Sequence, residues 1–175
     1  MPRTPTQAIG YFLGFWLALA LSPLIVNTAS GAEPSNLTSL EENLLAQVNR
    51  VRSDHHLVPL VRRTDLDRVA IAHSLDMARR GYFSHQSPEG ANPVDRLQQG
   101  GVTDMRLAAE NLGKTTQADP STQIVRSWLQ SPDHRNNLLA PALNFTGIGI
   151  ARGADGSLIY TQVYILVPKD IQLLP

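Results

Sequence analysis

Three residues of this 175-residue chain have the types and settings of a polar site: His85, Glu110 and His134. His85 stands in Tyr82-Phe83-Ser84-His85-Gln86-Ser87-Pro88-Glu89-Gly90, where two aromatics close a helical pattern and Pro-Glu-Gly breaks the chain. Glu110 interrupts the apolar run Leu107-Ala108-Ala109-Glu110-Asn111-Leu112-Gly113, and an acid in such a setting needs partners because an unpaired carboxylate in apolar surroundings is costly. His134 falls in Ser131-Pro132-Asp133-His134-Arg135, which reads as a cap, a proline and a first helical turn. There the helix dipole favours a neutral imidazole. Two imidazoles and a carboxylate make a three-ligand metal site with an open position. Without metal, the same trio is a hydrogen-bonded cleft floor or a general acid/base set. Ser84, Asn111, Arg135 and Gln162 are the candidates to support it.

Other chemistries lack their residues. The chain has no cysteine, which excludes thiol catalysis, disulfides and thiolate metal sites. It contains no His-Glu-x-x-His, no Gly-x-Ser-x-Gly and no phosphate-cradling glycine loop. Ser84 or Ser87 could be a nucleophile beside His85, but the sequence offers no acid placed to orient that base. Fifteen basic residues balance fifteen acidic ones, so nothing suggests nucleic-acid binding.

The three candidates are 25 and 24 residues apart, so no single element carries them. Residues 1–32 read as a secretory signal peptide: Arg3, the apolar run Ile9 to Leu21, a break at Ser22-Pro23, and small residues Ser30-Gly31-Ala32 before the cleavage point. The alternative is an uncleaved anchor extended through Leu24-Ile25-Val26. Residues 33–39 read as a polar lead-in. Ser39 and Glu42 match a capping box ahead of an amphipathic helix over roughly 39–53, with Leu40, Leu44, Leu45, Val48 and Val51 on its apolar stripe. Asn49 and Arg52 read as boundary polar residues beside that stripe.

Residues 53–61, with His55-His56 and Pro59, form a connection. Thr64 is the expected cap of a second helix ending at Gly81, and His73 lies on or near its apolar face as a packed core histidine. Asn92-Pro93 and Asp119-Pro120 open further helices. The last third turns β-rich, with runs from Phe145 to Ala151 and Leu158 to Val167 joined by Gly153-Ala154-Asp155-Gly156. Both faces of the last strand are largely apolar, which makes it central. Helices first and strands later give an α+β chain.

In order, Asn49-x-x-Arg52, His73-Ser-x-x-Met77, Tyr82-Phe-Ser-His85-x-Ser-Pro-x-Gly90, Ala109-Glu110-Asn111, Trp128-x-x-Ser131-Pro-x-His134-Arg, Gly147-x-Gly149-x-Ala and Tyr160-Thr-Gln resemble a CAP domain. This is the superfamily of cysteine-rich secretory proteins, antigen 5 and pathogenesis-related 1 proteins, here in a cysteine-free bacterial form. The resemblance covers about residues 40–167 and leaves 168–175 as a tail. It implies a three-layer α-β-α sandwich with a central, mainly antiparallel sheet. It also implies a cleft that in animal and plant members holds two histidines and two glutamates and can bind zinc or another divalent ion.

His85 and Glu110 match one of each. The second histidine is Ile159 here and the second glutamate is Ser131, while His134 is placed to substitute in space. The metal set His85, Glu110 and His134 is therefore expected to bind zinc or another divalent cation weakly, or not at all. The implied function is a secreted, periplasmic or extracellular protein whose cleft takes a small-molecule, lipid or peptide ligand, with no nucleic-acid partner and no membrane span after signal removal. The alternatives are a metal-dependent, peptidase-like hydrolase at the same cleft and a non-catalytic envelope interaction module. If the signal reading holds, N-terminal sequencing of the chain exported by a secreting bacterial host starts at Glu33. A retained Met1 in the membrane fraction would establish the anchor instead.

Overall fold

The computed structural model describes residues 34–168; the signal-peptide segment, Glu33 and most of the C-terminal tail lie outside them. Five helices and four strands follow in the order α1 (Pro34–Asp54), β1 (Val61–Arg62), α2 (Thr64–Arg80), α3 (Pro93–Gln99), β2 (Leu107–Thr115), α4 (Pro120–Gln130), α5 (Pro132–Leu138), β3 (Phe145–Arg152) and β4 (Leu158–Leu166). The strands form one sheet in the order β1-β3-β4-β2. It is antiparallel except for the short β1–β3 pair. The expected three-layer α-β-α sandwich is the architecture found. One apolar core lies under α1 and α4, with Leu44, Val48, Ile124, Trp128, Ile148 and Tyr160. A second lies under α2 and α3, with Leu66, Val69, Leu97, Val163 and Ile165. Strand β4 is buried along nearly its whole length, as a strand covered on both faces must be.

Two glycines set the approach of α2 to the sheet. A methyl group on Gly147 would lie 2.2 Å from the Leu66 carbonyl carbon, and one on Gly149 would lie 2.1 Å from the Ile71 amide nitrogen. The helix backbone therefore rests directly on β3, and Ser74 bonds across to the Gly149 carbonyl at 2.9 Å. This contact fixes the height of His73, one residue away on α2. Gly113 plays the same part on the opposite face, where an added methyl would meet the Ile124 Cδ1 at 2.6 Å.

Several sequence expectations change. Helix α1 starts at Pro34, so residues 34–39 are helical and Ser39 lies inside the helix rather than at its cap. Leu37 extends the apolar stripe by one turn and packs on the core with Leu40, which is the gain that draws those residues into the helix. Thr64 is the first helical residue of α2 and Arg63 holds the cap position, with no side-chain cap bond. Gly81 does end α2, in the left-handed conformation with φ 69°.

Asn49 and Arg52 are not boundary residues. Asn49 clamps Leu60 through both its N–H and C=O, at 2.8 and 3.0 Å. Arg52 is fully buried and meets no carboxylate among the described residues. Its guanidinium donates to the carbonyls of Val58, Leu138, Ala140 and Leu143 at 2.8–3.1 Å, tying α1 to the connection after it and to the segment joining α5 to β3. Desolvation lowers its pKa, so the charge is held by hydrogen bonds alone. Replacing Arg52 by Met keeps most of the volume but strands these carbonyls, each at about 1–3 kcal/mol less whatever water recovers. The expected result is a loss on the order of 3 kcal/mol in denaturant unfolding, with the fold's circular dichroism retained.

Candidate functional site

Glu110 enters from β2 on the face turned to α2, with only 1 % of its side chain exposed. Its Oε1 accepts from His85 Nδ1 at 2.8 Å. Its Oε2 accepts from Arg96 Nη2 at 2.8 Å. His73 comes up beneath, its Nε2 4.0 Å from Oε1. Because a carboxylate only accepts, the bond to Glu110 fixes the His85 proton on Nδ1 and leaves Nε2 as the ring's outward nitrogen. The His85 side chain is 51 % exposed, so that nitrogen belongs to a ring standing in solvent.

His134, in the first turn of α5, faces His85 with ring centroids 6.4 Å apart and planes tilted by 42°. The three residues singled out from sequence thus meet, although only His85 and Glu110 touch. Burial, followed by the neighbouring His85, lowers the His134 pKa and keeps its imidazole neutral at physiological pH.

The supporting residues divide. Ser84 offers its carbonyl to His73 Nε2 at 3.0 Å and its hydroxyl oxygen to the Gln86 N–H at 3.1 Å. Asn111 is fully buried and donates to the His134 carbonyl at 3.0 Å and the Tyr164 hydroxyl at 3.1 Å. Tyr164 donates to Gln162, which donates to Thr146, so Gln162 acts one layer behind the cleft. Arg135 is the exception: its side chain is exposed and bonds none of these residues.

Arg96 is not among the site residues that the sequence singles out. Its Nη1 donates to the carbonyls of His85 and Ala91, both at 2.9 Å, while Nη2 holds Glu110. One guanidinium therefore pins the histidine loop and neutralises the buried acid. The available signal was a basic residue beside Leu97, the buried residue of short, well-capped α3. Asn137 is not singled out either, and it donates to the Glu110 carbonyl and to the Asn111 side chain.

A groove of about 320 Å³ runs from His134 along the edge of β2, between Phe83 and the α4 residues Ile124, Ser127 and Trp128. Trp128 donates its indole N–H to the Leu112 carbonyl at 2.8 Å, sealing part of that edge. Phe83 is 47 % exposed and forms an apolar wall beside the imidazoles. Ser131 lies in this groove, whereas Ile159 is buried in an apolar cluster with Met77 and Leu112.

Residues 45–164 match the Cysteine-rich secretory protein family, CAP. The chain belongs to this family. It is 37 % identical over 139 residues to the uncharacterized protein YkwD of Bacillus subtilis, covering 79 % of this chain and 51 % of that protein. It is 32 % identical, with a TM-score of 0.67, to an extracellular SCP-domain protein from Bacillus anthracis, covering 79 % of this chain and 45 % of the other. It therefore spans about half the length of these relatives. The fold is also shared with NaASP2 crystallised with Zn²⁺, at 10 % identity and a TM-score of 0.54, over 77 % of this chain and 83 % of that one.

The zinc set expected from the sequence does not fit the geometry. Both Glu110 oxygens are engaged, one of them by a guanidinium, and no group of three or more His, Asp or Glu among the described residues is arranged to hold a metal. His85 bonds Glu110 and faces His134, while Arg96 holds the other Glu110 oxygen. The Ser84 and Ser87 question also changes: Glu110 does orient His85 as an acid orients a catalytic base, but the Ser84 hydroxyl is engaged with the Gln86 N–H and the Ser87 hydroxyl with the Ala91 N–H.

Burial lowers the His73 pKa, outweighing the Glu110 carboxylate, and Arg96 pushes the same way. A histidine whose folded pKa is depressed binds protons more readily when unfolded, so its stabilising effect is complete above its unfolded value of 6.5 and declines as pH falls below it. His134 contributes with the same sign. Stability measured by urea unfolding should fall between pH 7 and 5, and His73→Gln should flatten that slope; an unchanged slope would mean that His73 is not held neutral.

Proposed function

We propose that this is an exported, ligand-binding CAP domain whose cleft takes a hydroxyl- or amide-bearing molecule with an apolar body. The observation that carries this reading is the Glu110-oriented His85 ring, facing a neutral His134 beside the Phe83–Trp128 groove. With Nδ1 committed to Glu110, His85 turns Nε2 to the ligand, and the neutral His134 facing it offers a ring nitrogen that can accept from a ligand O–H or N–H. The aromatic wall suits the rest of a small molecule, a lipid or a peptide side chain. Export is supported by the N-terminal signal pattern and by the extracellular description of the Bacillus anthracis relative. No described helix is long and apolar enough to cross a membrane.

The experiment is a ligand-observed NMR screen of small alcohols, amides, short lipids and peptides against the wild type and His85→Ala/His134→Ala. Hits should weaken by about tenfold or more in the double variant, a loss of about 1.4 kcal/mol. Hits that bind both proteins equally would remove the cleft from the function. Turnover of an ester or peptide in the same screen, abolished by Glu110→Gln, would replace binding with hydrolysis at the same dyad.

A further inference from the structure

Glu110 is a carboxylate shut away from water, and such a group persists only beside a compensating positive charge or when protonated. Two imidazoles approach one of its oxygens, His85 Nδ1 at 2.8 Å and His73 Nε2 at 4.0 Å. The other oxygen faces the Arg96 guanidinium. We propose that Arg96 serves as a fixed cation in the place a divalent metal would otherwise take among His73, His85 and Glu110, and so sets the cleft's preference for organic groups over metal ions.

Three observations carry this. Arg96 is the permanently charged group in direct contact with Glu110, and its two remaining η bonds, to the His85 and Ala91 carbonyls, anchor it so that an incoming ion would have to break three hydrogen bonds at once. Arg96 also stands at the wall of an open groove. Arg96 and His73 both line a groove of about 520 Å³ between α2 and α3, with Val69, Ala72 and Ala91 as its apolar part. Shortening Arg96 therefore connects that groove to Glu110. Finally, His73 can become a ligand without leaving its place. Its Nδ1 has no hydrogen-bond partner and can take the proton that Nε2 now directs at the Ser84 carbonyl.

This inference concerns the same cleft as the proposed function, but its test needs no organic ligand, so either can fail alone. The full chain is titrated with zinc chloride by calorimetry as wild type, Arg96→Gln, Arg96→Lys and Arg96→Gln/Glu110→Gln. Arg96→Gln should bind zinc at least about tenfold more tightly than the wild type. Arg96→Lys, which keeps the charge but cannot form the same fork, should stay near the wild type. The double variant should lose the gain. An Arg96→Gln protein that unfolds cooperatively yet shows no gain overturns the proposal, and so does an equal gain in Arg96→Lys, because charge would then be irrelevant. If Arg96→Gln does not fold, the wild type answers through its Arg96 side-chain NMR resonances. They should be unmoved by millimolar zinc, and their displacement by micromolar zinc refutes the fixed-cation role.

Discussion

The buried carboxylate of Glu110 is the constraint around which this polar cluster is arranged. It sits on a strand whose neighbours are apolar, so removing it from water is costly, and that cost is offset by Arg96 on one oxygen and His85 on the other. Those two bonds have structural consequences. Arg96 also holds the His85 and Ala91 carbonyls, so the loop between α2 and α3 takes its shape from the same guanidinium that neutralises the acid. The tautomer of His85 follows from the carboxylate as well. Loop conformation, ring orientation and local charge balance are thus one problem with one solution, and no member of the set can be exchanged without disturbing the others.

The sandwich delivers these groups to one place through close contacts. Gly147 and Gly149 let α2 rest on β3, which sets His73 beneath Glu110. On the other side of the sheet, Arg52 gathers the chain after α5, and Asn111 binds the His134 carbonyl from β2. Asn111, Tyr164, Gln162 and Thr146 continue as a buried run of hydrogen bonds across the sheet. Fully satisfied polar runs of this kind rigidify what they connect. The two imidazoles face each other because separate layers hold them at a fixed spacing.

The sequence carried the architecture well where patterns were long. The helical stripe of α1, the glycine stop of α2 and the β3–β4 hairpin are local signals, and each is present as expected. The ordered motifs gave His85, Glu110 and His134; His85 bonds Glu110, and His134 faces His85 without touching the acid. What could not be read was long-range. Arg52 finds carbonyls up to 91 residues away, and no local pattern distinguishes it from a solvated arginine at a helix edge. Arg96 is hidden for the same reason: its partners lie 5, 11 and 14 residues away, two in the loop before α3 and one on β2. Arg135 erred in the opposite direction, since adjacency to His134 in sequence says little about direction on a helix.

The family pattern and the geometry also account for each other. A cleft with two carboxylates carries more negative charge than its imidazoles balance, and a divalent cation is a natural complement. The resemblance places Ser131 where the family pattern has the second glutamate and Ile159 where it has the second histidine, and Ile159 is packed into an apolar cluster with Met77 and Leu112. The remaining acid needs a single positive charge, and one arginine supplies it. His134 then adds a second ring without adding an anion. With Glu110 already matched by Arg96, the two facing rings are what the proposed preference for a neutral polar group rests on.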